Sequence, residues 1–202
     1  DDAAREINLV NEFQQKSKIP LMIGMDAEWG LFQRIATAHK FPWAMTLGAI
    51  QDKNLIYQMA AKIAEDCKRM GINWDFAPVV DVNTNPNNPI IGNRSFGSEV
   101  SNVTQSALSY SNGLQDNNIL AAIKHFPGHG DTSTDSHLDL PVVSHSLERL
   151  NSIELAPFKA LMDKGIGGVM VAHLYVPSLE SGKGIPASVS KNIVTGVLKE
   201  KF

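Results

Sequence analysis

Apolar and polar residues follow two different periods along this chain, and together they predict helices that alternate with buried strands. Apolar residues at helical spacing predict helices over 3–16, 54–70, 103–114 and 153–164. A fifth helix is expected to begin at Ser190, a favourable N-cap residue, and to continue to Lys199. Short apolar runs without that spacing predict strands over 21–25, 72–77, 119–123 and 168–172.

The predicted strands are apolar throughout, which is typical of parallel sheets with helices on both faces. Polar residues follow each strand: Asp26, Asp81 with Asn83, Lys124 with His125, and His173. This arrangement favours an α/β fold of the TIM (β/α)8 barrel type, whose sites lie at the carboxyl ends of the strands. A flavodoxin-like sheet would show the same alternation, but the sequence has neither a G-x-G-x-x-G nor a Walker A loop.

About four or five strand units fit in this chain, which is fewer than the eight of a complete barrel. The helical pattern that ends at Phe202 is unfinished, and the chain begins without a methionine. We therefore expect residues 1–202 to be part of a single barrel domain, truncated at the C-terminus and also at the N-terminus. The polar insert 83–98 is expected to be a functional loop on the barrel face.

Charge and composition narrow the classes of partner. Lysine and arginine number 18 and the acids 21, so a net charge of -3 gives no reason to expect nucleic acid or an anionic membrane as a partner. No apolar stretch approaches the ~20 residues that span a bilayer, so we expect no membrane insertion. The single Cys67 excludes an internal disulfide.

The segment 124–141, KHFPGHGDTSTDSHLDLP, is the richest in chemistry, since it holds three of the six histidines. Asp135 precedes His137 by two residues, a spacing that permits a hydrogen bond between them. A carboxylate on one ring nitrogen stabilises the imidazolium and leaves the other nitrogen to transfer a proton. An incidental Asp-Ser-His on a surface loop is the alternative interpretation.

A metal site is a second possibility for the same segment. The potential zinc or manganese ligands are His125, His129, Asp131, Asp135 and His137. Pro127, Gly128 and Gly130 interrupt any helix between the first two histidines, so their spacing does not place both rings on one face. We expect neither a metal nor another cofactor.

The pattern K-H-F-P-G-H-G-D-T-x-x-D-S-H-x-x-L-P resembles the signature of the glycoside hydrolase family 3 β-N-acetylglucosaminidases. Further agreement comes from four short segments: Asp26-Ala27-Glu28 with Arg34, Asn93-Arg94-Ser95-Phe96, Ala172-His173, and Ile185-Pro186-Ala187-Ser188-Val189-Ser190. The resemblance covers essentially the whole chain.

The resemblance implies a retaining exo-β-N-acetylglucosaminidase that removes terminal β-linked N-acetylglucosamine, for example from peptidoglycan fragments, through a covalent glycosyl-enzyme. Asp135 and His137 would form the acid/base dyad. The residues that would hold the amino sugar are Asp26, Arg34, Arg94, Lys124 and His125. The family's nucleophile is an aspartate after a later strand, and no such position precedes Phe202, so we expect the nucleophile, with any further domains, to lie outside this chain.

Several points stay open at this stage. The family more often has glycine at Trp29, and the tryptophans could stack on a sugar or fill the core. His173 could equally lie buried behind the site. A metal-dependent barrel hydrolase and a non-catalytic sugar-binding fragment are the alternative functions. The sequence leaves the bacterial compartment, cytoplasmic or cell envelope, undecided.

Overall fold

A computed structural model of the chain describes residues 2–133 and 140–202. The α-helices are α1 (Ala3–Lys16), α2 (Ala44–Gly48), α3 (Lys53–Arg69), α4 (Val100–Gln115), α5 (Leu147–Arg149) and α6 (Ala156–Met162). Short 3-10 helices span Leu31–Gln33, Gly92–Arg94 and Ala187–Val189, and π-helices span Leu150–Glu154 and Asn192–Lys199. The strands are β1 (Gly24–Met25), β2 (Trp74–Asp75), β3 (Leu120–Phe126) and β4 (Gly168–Val171).

The four strands form one parallel sheet in the order β1-β2-β3-β4. Gly24 pairs with Trp74, and Trp74 pairs in turn with Leu120. Within the described residues β1 and β4 each pair with one other strand, so the sheet is open. Because all strands are parallel and helices connect them, the predicted α/β class is confirmed, and every strand presents its carboxyl end at the same edge.

Strand β3 differs from its prediction, because it continues through Lys124 and His125 to Phe126. The backbone keeps pairing beyond the apolar run: Val80 N–H donates to the Lys124 carbonyl over 2.8 Å, and Ala172 N–H donates to the Phe126 carbonyl over 2.8 Å. Lys124 and His125 therefore lie within a strand, which fixes their backbone more firmly than a loop would.

The helix predicted over 153–164 is also different, because it is divided between the π-helix Leu150–Glu154 and α6. Pro157 lies in the first turn of α6, and proline has no N–H to continue the hydrogen bonds of a preceding helix. The predicted cap at Ser190 is confirmed, since its Oγ accepts from the Ile193 N–H over 3.1 Å.

Helices α3 and α4 cover one face of the sheet and form much of the core. Their inward-facing apolar residues are fully buried, namely Ile56, Ala60, Ile63, Val103, Ala107 and Leu114. Gly113 lets the helices approach closely, because a Cβ there would lie 2.4 Å from the Tyr57 carbonyl oxygen. Throughout the described ranges the structure has no helix that is both long and apolar enough to cross a membrane.

Candidate active site

A cavity of about 510 Å³ opens at the carboxyl edge of the sheet. The five predicted sugar-binding residues, Asp26, Arg34, Arg94, Lys124 and His125, all line it. Asp26 follows β1, whereas Lys124 and His125 belong to β3. Arg94 ends the short helix Gly92–Arg94 within the polar insert. Residues from three distant parts of the sequence therefore share one concavity.

Asp26 joins two cations at the front of the cavity. Its Oδ1 accepts from Lys124 Nζ over 2.9 Å, and its Oδ2 pairs with the Arg34 guanidinium. Burial raises the pKa of Asp26, but the Lys124 ammonium and the Arg34 guanidinium outweigh burial and hold that pKa below its ordinary value. Asp26 is therefore a carboxylate that accepts hydrogen bonds.

Glu28 lies deeper and holds Lys124 and Arg94 together. Its Oε1 accepts from Lys124 Nζ and from Arg94 Nη2, each over 2.7 Å, while its Oε2 accepts from Arg94 Nε over 2.9 Å. Burial raises the pKa of Glu28, but hydrogen bonds and charge from both cations outweigh burial and lower it overall. Sequence reasoning gave Glu28 no role, although its position two residues after Asp26 is a usable signal.

His125 is held between an acid and a guanidinium. Its Nδ1 lies 2.7 Å from the Asp81 carboxylate, and its Nε2 lies 3.2 Å from Arg94 Nη2. An arginine only donates, so Nε2 accepts and the proton is assigned to Nδ1. Burial raises the pKa of Asp81, but His125 and His129 outweigh burial and keep it low. This arrangement gives the imidazole one defined tautomer.

His129 is a second histidine of this edge and is almost fully buried. Its Nδ1 lies 2.5 Å from Thr132 Oγ1, while its Nε2 has no hydrogen-bond partner among the described residues. Burial lowers the pKa of His129, and the charge on Asp81 offsets this only in part. Across residues 2–133 and 140–202, no three His, Cys, Asp or Glu side chains could together hold a metal ion.

The proposed acid/base pair, Asp135 and His137, lies outside the described residues, so their role stays a prediction. The segments on either side are linked to each other and to the strand ends. Asp131 accepts from His145 over 2.6 Å, and Val143 N–H donates to the Tyr175 carbonyl over 2.9 Å. The candidate dyad is therefore bracketed in sequence by residues that contact each other or the segment that follows β4.

The remaining candidates divide between the cavity and aromatic pairs outside it. His173 follows β4 and lines the cavity, with its Nδ1 2.7 Å from Ser188 Oγ. Trp29 and Trp43 pack against each other with ring centroids 4.1 Å apart, and Trp74 packs against Phe76. None of the three tryptophans lines the cavity.

A buried acid lies beneath this network. Asp75 is fully buried, and its Oδ1 accepts from the Ala27 N–H over 2.9 Å. Burial raises the pKa of Asp75 to about 7, since the hydrogen bond from Ala27 and the Lys124 charge compensate only partly. Tyr110 of α4 reaches the same region and donates to the Ala27 carbonyl over 3.2 Å.

Comparison with known proteins identifies the family to which the chain is similar. The chain matches the glycosyl hydrolase family 3 N-terminal domain over residues 2–202. It is 37% identical to the β-hexosaminidase A of Pseudoalteromonas piscicida, with 100% of this chain and 37% of that protein covered.

Two solved structures show the same likeness. One is a glycoside hydrolase family 3 β-N-acetylglucosaminidase from Paenibacillus sp. str. FPU-7, with 40% identity, a TM-score of 0.90, and 98% of this chain and 38% of that chain covered. The other is NagZ from Neisseria gonorrhoeae in complex with N-trifluoroacetyl-D-glucosamine, with 30% identity, a TM-score of 0.89, and 99% and 60% covered. The chain thus spans less than two thirds of each of these proteins, and its open sheet is part of a barrel-like fold.

Proposed function

Because the chain belongs to glycosyl hydrolase family 3, we propose that it is part of a β-N-acetylhexosaminidase that removes terminal β-linked N-acetylglucosamine. In this proposal residues 1–202 contribute one part of a single barrel domain in a longer polypeptide. The names of its relatives support the activity, and peptidoglycan fragments are the proposed source of the sugar.

The observation that carries the proposal is the convergence of five polar side chains on one cavity of about 510 Å³. A sugar presents hydroxyl and amide groups in several directions, and carboxylate, guanidinium and ammonium groups can bind them without titrating. Lys124 and Arg94 are already held by acids, so their N–H groups are oriented before a sugar arrives. The cavity is suited to bind a compact polar ring.

The proposed chemistry is retaining hydrolysis. His137, supported by Asp135, would protonate the departing oxygen and later deprotonate water, while a carboxylate outside this chain attacks the anomeric carbon. The C–O bond to the leaving group breaks as the bond to that carboxylate forms. Water then attacks the anomeric carbon, and the bond to the carboxylate breaks. Most retaining glycosidases use an aspartate or a glutamate as the general acid/base, where this chain would use a histidine. The assignment of this role to His137 is therefore supported by family membership.

The test compares the full-length protein that carries this chain with the 202-residue chain alone, using a chromogenic N-acetyl-β-glucosaminide. We expect turnover by the full-length protein and none by the isolated chain, because the isolated chain would lack the nucleophile. Turnover that is lost with a chelator and restored by a metal would instead indicate a metal-dependent hydrolase. Binding of N-acetylglucosamine without turnover by the full-length protein would indicate a sugar-binding protein.

A further inference from the structure

We infer that Glu28 is a specificity-determining residue of this cavity: its carboxylate holds Lys124 and Arg94 for hydrogen bonding to a neutral sugar and disfavours anionic sugars. This assignment rests on the proposed function, because it names which sugars the same cavity accepts. Neither the motif nor the predicted site residues included Glu28 in this role.

The contacts of Glu28 show how one carboxylate organises three groups. Two parallel hydrogen bonds, of 2.7 and 2.9 Å, fix the plane of the Arg94 guanidinium. The third contact, of 2.7 Å, fixes the Lys124 ammonium. Arg94 in turn contacts the His125 ring nitrogen, so Glu28 also orients His125 indirectly. Only 7% of Glu28 is exposed, so water replaces few of these contacts.

The two cations keep some donor capacity for a ligand. Lys124 has three N–H groups, and Asp26 and Glu28 accept two of them. Arg94 has five, of which contacts within the described residues use four: Nε to Glu28, Nη2 to Glu28 and His125, and Nη1 to the Ile90 carbonyl over 3.3 Å. Since Asp26 and Glu28 together balance both charges, the remaining N–H groups offer a sugar oxygen hydrogen bonds with little net attraction for an anion.

The charges of the network balance. Its ionised side chains are three acids and three bases, namely Asp26, Glu28, Asp81, Arg34, Arg94 and Lys124. Their formal charges cancel, so a carboxylate that enters the cavity adds an uncompensated negative charge in a partly desolvated place. Asp75 beneath them would add to that repulsion once it loses its proton. A neutral sugar meets no such penalty.

Replacing Glu28 by glutamine would remove one negative charge from the cavity and leave one net positive charge. The glutamine would also lose the bidentate contact that fixes Arg94. The same change should therefore weaken binding of a neutral sugar and strengthen binding of an anionic one. A merely structural role would not produce these opposite effects.

The experiment uses Glu28→Gln, Glu28→Asp and the control Glu154→Gln in the full-length protein that carries this chain. Glu154 is equally buried and pairs with Arg149 over 3.2 Å, but it does not line the cavity. Calorimetry measures the dissociation constants of N-acetylglucosamine and of glucuronic acid, in which a carboxylate replaces the hydroxymethyl group and a hydroxyl replaces the 2-acetamido group. Each sugar is compared between wild type and variant. Kinetics on the chromogenic glycoside measures kcat and KM.

We expect Glu28→Gln to weaken the binding of N-acetylglucosamine about tenfold, as loss of a hydrogen bond between charged groups does. The same variant should raise KM more than it lowers kcat. Glucuronic acid should bind the same variant about tenfold more tightly, with an affinity that falls as salt is added. Glu28→Asp keeps the charge, so it should weaken the binding of the neutral sugar without strengthening the binding of the anionic one. Glu154→Gln should leave the ratio of the two constants unchanged.

If Glu28→Gln weakened the binding of both sugars equally, the assignment would be overturned, because Glu28 would then have a structural role alone. If that variant does not fold, as judged by circular dichroism, tighter binding of glucuronic acid to Glu28→Asp would overturn it instead. A wild-type protein that binds N-acetylglucosamine but does not cleave the glycoside would refute the proposed function and leave this test intact. A wild-type protein that binds neither sugar would refute both.

Discussion

The cavity at the carboxyl edge of the sheet and the helix layer formed by α3 and α4 are built in opposite ways. In the cavity, charged side chains from distant segments pair with one another, as Lys124 does with Asp26 and Glu28. In the helix layer, apolar side chains at regular spacing pack around Gly113. Because buried ion pairs gain little net stability, the comparison indicates that the helix layer supplies stability and the cavity supplies function.

The largest effect is expected on the functional side of this comparison. His137→Ala should lower the rate by about 10²–10⁴-fold for substrates with poor leaving groups, as loss of a general acid does. An activated aryl glycoside should lose much less, because its departing oxygen needs no proton. Steady-state kinetics of the full-length protein on both substrates provides the measurement. Equal losses would indicate that His137 positions the substrate or maintains structure.

A second substitution tests whether the ion pairs of the cavity also affect stability. Lys124→Met removes the cation that Asp26 and Glu28 share and leaves each acid with one arginine partner. It should cost up to about 3–5 kcal/mol of stability, the loss seen when one partner of a buried ion pair is removed. Denaturant unfolding should show this loss together with loss of sugar binding. The double variant Lys124→Met with Glu28→Gln should lose less than the sum of the single variants.

The control for this substitution is Lys62→Met, because Lys62 belongs to the exposed pair with Glu65. It should change stability by no more than about 1 kcal/mol. A similar small change for Lys124→Met would mean that Asp26 and Glu28 do not need the Lys124 charge in the folded state.

A third substitution sharpens the comparison from the stability side. Gly113→Ala places a methyl group against the Tyr57 carbonyl and should cost about 1–3 kcal/mol through overpacking. Gly196→Ala is the matched control, since its Cβ would meet no atom within 4 Å. The free energy of unfolding and the affinity for N-acetylglucosamine should be measured on both variants. A change in the affinity for N-acetylglucosamine in Gly113→Ala would contradict the division between the two regions.

A further effect, small per pH unit, concerns Asp75, which lies between the two regions. Its pKa is raised to about 7, so its folded form keeps a proton that the unfolded chain releases above about pH 4. This contribution to stability is complete below about pH 4 and is lost as pH rises towards 7, with a slope of up to about 1.4 kcal/mol per pH unit. Asp26, Glu28 and Asp81 have lowered pKa values, so their stabilisation is lost only in more acidic solution.

The measurement is the difference in unfolding free energy between wild type and Asp75→Asn from pH 4 to 8, because His129 and other common groups cancel in this difference. Wild type should lose stability relative to the variant as pH rises. The exposed Asp163→Asn is the control for removing a carboxylate from the surface. A flat difference for Asp75→Asn would show that the Asp75 carboxyl is ionised throughout.

The sequence was sufficient for α3, whose apolar residues follow a helical period, but not for 153–164, where the helix is divided before Pro157. Helix α3 departs from its prediction by one residue at each end, because Asp52 caps it and Gly71, with a positive φ, follows it. Strand β3 was cut short in prediction, because Lys124 and His125 are polar although their backbone pairs on both sides.

The candidate site was only partly predictable. The family motif named the five side chains that line the cavity, but it did not show that Glu28 joins two of them or that Asp75 lies beneath. Such pairings depend on which strands become neighbours, and a local pattern does not contain that information. The roles of Asp135 and His137 stay predictions from the family.

The pair between Lys124 and Asp26 joins residues 98 positions apart, and this separation has a consequence for the time course of folding. Closing so long a stretch of chain is slower than forming helices, whose contacts are local. The cavity should therefore appear after the helical signal is complete. A fluorescent sugar analogue added during refolding would report the last stage of assembly, and far-ultraviolet circular dichroism would report an earlier one.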